Sequence, residues 1–156
     1  MPTIVDVLRD PHLLESGVAQ RLPFEAGQTI IVEGAEDRCV YLIERGSVRV
    51  SGRVEIEDHR HIQPGLCDLG AGEVFGELSL FESAPRSASV IAVEPCELLV
   101  FDAEALSRYF ETHPERGYVV LKDLFGVLNR RLRQADRRVG SLFAWGLKAH
   151  GIDRHL

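Results

Sequence analysis

Apolar and polar positions follow three different rhythms along this chain. In residues 2–20 the anchors Val5, Leu8, Leu13, Leu14 and Val18 recur at helical spacing with Pro11 as a break, which predicts short helical pieces. From Leu22 to Phe101 the period shortens. The β-prone runs TIIVEG, CVYLIERGSVRV, LCDLGAGEVFGE, SASVIAV and CELLVF are separated by turn glycines, and many short strands predict a barrel or sandwich. Between Ser51 and Asp68 the polar stretch SGRVEIEDHRHIQPGLCD breaks the pattern and predicts a hairpin or loop.

After Phe101 the pattern turns helical. Leu121, Phe125, Leu128, Leu132, Ala135, Val139 and Leu142 follow one another at alternating spacings of four and three, which is a heptad seam. A long helix with one apolar stripe needs a partner. Three unbroken heptads suit a homodimer through residues 118–142 better than packing on the chain's own barrel.

Composition narrows the classes. At 156 residues, 45% of them apolar and 27% charged, the chain is of ordinary globular character and about one domain long. A formal charge of −6 argues against a protein whose main task is to coat nucleic acid. The start, MPTIVDVLRDPHLLESG, lacks the basic and apolar regions of a secretory signal, and no stretch approaches the ~18 apolar residues of a membrane span, so the expected location is the cytoplasm. Cys39, Cys67 and Cys96 form no CxxC pair and indicate neither a disulfide framework nor a zinc site.

The chemistry concentrates in residues 72–92, GEVFGELSLFESAPRSASVIA. Phe75 and Gly76 end a strand, Glu77 to Phe81 suit one helical turn, and Pro85, Arg86 and Ser87 return the chain to a strand. The N–H groups at the start of such a turn suit an anion. Arg86 adds a planar fork of donors that matches two phosphate oxygens, and Glu77 is an acceptor for a sugar hydroxyl. Together they describe a sugar phosphate.

This segment resembles the phosphate-binding cassette of the cyclic nucleotide-binding domain family, in the motifs Phe75-Gly76-Glu77-Leu78 and Pro85-Arg86-Ser87-Ala88. The likeness extends through Phe24, Gly27, Ile30, Glu33-Gly34, Asp37, Tyr41-Leu42-Ile43 and Gly46. It implies a mainly β fold with flanking helices, an eight-stranded jelly-roll barrel preceded by N-terminal helices and followed by a long C-terminal helix. The organisation expected is a helical segment over 1–20, a barrel over 21–111 with the cassette at 72–92, a capping and dimerisation helix over 112–143, and a tail over 144–156.

On the family pattern Arg86 holds the cyclic phosphate of cAMP or cGMP, Glu77 the ribose 2′-hydroxyl, and Ser87 a phosphate oxygen or a guanine base. Phe75, Gly76, Leu78, Ser79, Pro85 and Ala88 complete the expected site. The C-terminal helix is similar to that of the catabolite activator protein family through Asn129-Arg130-Arg131-Leu132 and Val139-Gly140-Ser141-Leu142. That alignment puts Ala135 and Asp136 at the base-reading positions, where a carboxylate fits the two adjacent donors of guanine. Family grounds favour cAMP. The sixteen residues SLFAWGLKAHGIDRHL after Gly140 leave no room for that family's DNA-binding domain, so the expectation is a stand-alone, non-enzymatic regulator without a cofactor, signalling to an unidentified effector protein.

Three other readings compete. His59 and His61 could serve a cupin-like metal enzyme, but no carboxylate follows at the required spacing. A barrel that has lost its ligand and only mediates dimerisation conflicts with the intact Glu77 and Arg86. Arg130, Arg131, Arg133, Arg137 and Arg138 could bind nucleic acid, yet on a helix they spread around the circumference as a solvated face.

Overall fold

The computed structural model describes residues 2–51, 54–56, 60–62 and 65–149. Two short helices open the chain, α1 (Ile4–Leu8) and α2 (Pro11–Glu15). Ten strands follow: β1 (Ala19–Phe24), β2 (Thr29–Ile31), β3 (Cys39–Arg45), β4 (Ser47–Ser51), β5 (Val54–Ile56), β6 (Arg60–Ile62), β7 (Gly65–Gly70), β8 (Val74–Phe75), β9 (Ser89–Ala92) and β10 (Cys96–Asp102). A 3₁₀ helix, Glu77–Leu80, lies between β8 and β9, and helices α3 (Ala103–Thr112) and α4 (Pro114–Ala149) close the described chain.

Eight strands form two antiparallel four-stranded sheets, ordered β1-β10-β3-β8 and β2-β9-β4-β7, as a jelly roll requires. Strands β5 and β6 pair with each other within the segment expected to be a hairpin or loop. His59, and the side chain of His61, lie outside the described residues.

The run CVYLI explains how the layers stack. It reads as continuously apolar because both faces of β3 are covered. Val40 and Leu42 face the helices together with Leu99, Phe101, Leu106 and Leu8. Tyr41 and Ile43 face the opposite sheet together with Val48, Phe75, Val90 and Leu98. The β1-β10-β3-β8 sheet is therefore a shared wall.

Two boundaries differ from the sequence reading. The barrel ends at Asp102 and not at residue 111, because Ala103, Leu106 and Tyr109 recur at helical spacing and bury one face of α3. Helix α4 continues to Ala149, six residues past the expected end at 143. Nothing in GSLFAWGLKA breaks it, since its two glycines weaken a helix without stopping it.

Among the described residues, those of α4 that are buried against the domain lie in its first third. Val120 and Leu124 are buried against the helical layer, and the Asp123 carboxylate accepts the Ile4 N–H at 2.8 Å, tying α1 to α4. From Phe125 onward the large apolar residues of the stripe are exposed. Among the described residues no helix is long and apolar enough to cross a membrane.

Candidate functional site

The cassette begins where β8 pairs with β3. Phe75 lies opposite Tyr41, and their rings stack at 4.8 Å with an interplanar angle of 4°. Gly76 then turns the chain with φ +75°, a conformation that favours glycine. Space demands glycine as well. A Cβ there would lie 2.8 Å from the Cys39 carbonyl and 3.0 Å from Arg86 Nη1.

Gly76 is the N-cap of the 3₁₀ helix, and its carbonyl accepts the Ser79 N–H at 3.2 Å. The N–H groups that open such a turn precede its first internal hydrogen bond and mark its mouth. Leu80 anchors the helix in the core, Ser79 is buried, and the Glu77 side chain is turned inward with the residue only 7% exposed. Leu78 is exposed.

Arg86 closes the cassette from the other end. Its backbone is pinned by the turn at Gly34, since Arg86 N–H donates to the Ala35 carbonyl and its own carbonyl accepts from Gly34 N–H, both at 2.8 Å. The side chain, 9% exposed, donates Nε to Asp37 Oδ1 at 3.0 Å and Nη2 to Asp37 Oδ2 at 2.9 Å. Nη2 also reaches the Cys39 carbonyl at 2.6 Å, and Nη1 the Gly76 carbonyl at 3.3 Å. The fork is bidentate, the strong form of this contact.

Two neighbours of that pair, Tyr41 and Cys39, are held in their neutral forms. Burial, reinforced by Cys39 and Asp37, raises the Tyr41 phenol far above its ordinary range, and burial likewise raises the Cys39 thiol. The Arg86 guanidinium is thus a planar cation beside the mouth of the 3₁₀ turn, paired with the Asp37 carboxylate, whose side chain is 36% exposed.

A second arginine grips the same helix. Arg38 Nη2 donates to the Ser79 carbonyl at 3.0 Å, so guanidinium groups hold carbonyls at both ends of the 3₁₀ turn.

The structure thus brings together Phe75, Gly76, Glu77, Leu78, Ser79 and Arg86. Pro85 and Ser87 are exposed on the returning loop and Ala88 is half-buried. Asp136 is exposed on the distal part of α4, outside this cluster. Sequence reasoning named Asp37 as a recurrent position but missed its role as partner of Arg86. The two are 49 residues apart, and only the pairing of the sheets joins them. A separate apolar groove of about 320 Å³ lies behind the cassette between Leu80, Phe81, Phe110, Tyr118 and Leu121. Its walls offer a phosphate nothing. Among the described residues no group of three His, Cys, Asp or Glu side chains is arranged to hold a metal ion.

The protein is a two-sheet jelly roll carrying a glycine-capped helical turn beside a nearly buried arginine. The model of the cyclic nucleotide-binding domain matches residues 21–113, and the chain belongs to that family. Over 117 residues it is 36% identical to the cyclic AMP receptor protein of Thermus thermophilus, a match that takes in 75% of this chain and 50% of that one. It is 31% identical over 122 residues to glutaminase 2 of Bradyrhizobium diazoefficiens, covering 78% of this chain and 18% of that one. The crystal structure of the Thermus thermophilus catabolite activator protein superposes with a TM-score of 0.69 at 31% identity, covering 87% of this chain and 62% of that chain. The chain spans about half the length of the receptor relative and under a fifth of glutaminase 2.

Proposed function

We propose that this chain is a cytoplasmic regulatory sensor that binds cAMP in its cassette and catalyses no reaction itself. The observation that carries the reading is Arg86, a nearly buried guanidinium at the mouth of a helical turn, held by one displaceable carboxylate. A cyclic phosphate offers its two exocyclic oxygens to the fork, and the inward Glu77 accepts the ribose 2′-hydroxyl. The likeness to a protein named as a cyclic AMP receptor supports the choice of nucleotide. Asp136 and Ser87 favour a second reading with cGMP, whose base offers two adjacent donors to a carboxylate.

The output runs through α4. Leu121, Phe125, Leu128, Leu132, Val139 and Leu142 stay exposed along its stripe, and a second copy presents the same seam, so the helix pairs two subunits in parallel. Ligand favours the arrangement in which α4 closes over the base, and an effector protein reads that arrangement. Binding DNA is no part of this segment's role.

Titration calorimetry with cAMP, cGMP and the linear nucleotide AMP tests the reading. Saturable binding of a cyclic nucleotide, with AMP much weaker, is expected. Failure of both cyclic nucleotides to bind would overturn it.

A further inference from the structure

The structure assigns to Arg38 the task of linking the cassette to the helices that leave it: it is a positioning residue, joined to the 3₁₀ helix through its side chain and to α3 through its backbone. The assignment rests on the cassette being the ligand site, as read above.

Three observations converge on it. Arg38 Nη2 donates to the Ser79 carbonyl at 3.0 Å, so the guanidinium is fastened to the helical turn that lines the site. The Arg38 carbonyl accepts the Ala103 N–H at 2.9 Å, and Ala103 is the first residue of α3. One residue therefore holds both elements. Finally, the Arg38 Nε is buried and, among the described residues, has no hydrogen-bond partner. A buried donor left unmade is costly, so the side chain is not settled in its best position. A small movement of the turn that gave Nε an acceptor would be favoured.

The neighbouring contacts make that movement effective. The 3₁₀ helix packs on α3 and on β3, and Arg38 sits between Asp37, which holds Arg86, and Cys39, whose carbonyl also accepts from Arg86. When an anion draws Arg86 away from Asp37, Asp37 loses its bidentate partner, and Arg38 beside it carries the shift into Ser79 on one side and Ala103 on the other. The coupling passes through hydrogen bonds of one residue and needs no change in the barrel.

Amide hydrogen exchange on Arg38→Met and Arg38→Lys tests the link. In the ligand-free protein, Arg38→Met should raise exchange at residues 77–82 and at 103–106 together, by about tenfold, as expected for loss of a charge-assisted hydrogen bond. Exchange in β2 and β9 should stay as it is. Arg38→Lys, which keeps a charged donor on a long stem, should remain within about threefold of the unsubstituted protein. With cAMP as probe, Arg38→Met should bind within about threefold of normal affinity yet lose the ligand-induced change in exchange over 103–120.

Loosening of 77–82 with no change at 103–106, survival of the ligand response in Arg38→Met, or a rise spread equally over β2 and β9 would each overturn the assignment. If the unsubstituted protein binds no cyclic nucleotide, the functional reading fails, and the ligand-free exchange still decides whether Arg38 joins the two elements.

Discussion

The cassette and the distal half of α4 are built on opposite terms. In the cassette, the Arg86 side chain makes four hydrogen bonds within its own chain and is 9% exposed. Along α4, Phe125 is 72% exposed and the stripe after it remains uncovered. One region is completed by the fold that contains it; the other leaves its apolar stripe uncovered, which on the proposed reading is the seam for a second copy.

Breaking each region in turn sharpens that difference. The largest effect is expected from Arg86→Leu, which removes the fork while keeping the bulk, and should cost cyclic nucleotide binding roughly 2–5 kcal/mol, read as loss of the calorimetric signal. Next comes the seam. Leu128→Glu with Leu132→Glu puts charges into a desolvated interface at roughly 2–4 kcal/mol, so sedimentation should show a monomer while circular dichroism keeps the barrel signature. A monomer before substitution would mean that the stripe is not a dimer seam.

Asp37→Ala is expected to act on the ligand-free state alone. It leaves Arg86 without its counter-ion, a loss of roughly 1–2 kcal/mol once the partial exposure of Asp37 is allowed for. Saturating cAMP should erase the deficit, since its phosphate takes the vacated place. Thermal melting with and without nucleotide checks this, and an equal deficit in both would show that Asp37 and the ligand do not share the guanidinium. The smallest effect belongs to Asp136→Ala. It should lower cGMP affinity by about 1 kcal/mol or less, because an exposed carboxylate contributes little, and leave cAMP unchanged. Equal losses for both nucleotides would show that this residue does not read the base.

Short-range features were legible in the sequence and long-range ones were not. Gly76 and the turn after it could be read from adjacent residues, because a left-handed glycine before ELSL is a local matter. The β-prone run of Val40 to Ile43 pointed to a strand, yet which residue faced which layer depended on α1, α3 and β8 coming to rest around it. The true start of α3 was hidden because Cys96–Asp102 runs into Ala103 without a break residue. Asp37 and Arg38 were the least legible. Their partners lie some forty to fifty residues away, at Ser79 and Arg86, and spacing along a chain says nothing of a contact made across a sheet.

The carboxylate of Asp37 has one more consequence, for what the site refuses. An inorganic anion such as chloride or free phosphate brings charge alone, and in taking Arg86 it must surrender a bidentate contact already made at 2.9 and 3.0 Å. It gains almost nothing by the trade of one anion for another. A nucleotide brings a sugar and a base as well, and those added contacts tip the balance. On the proposed reading, Asp37 therefore favours a ligand recognised beyond its phosphate over a small inorganic anion.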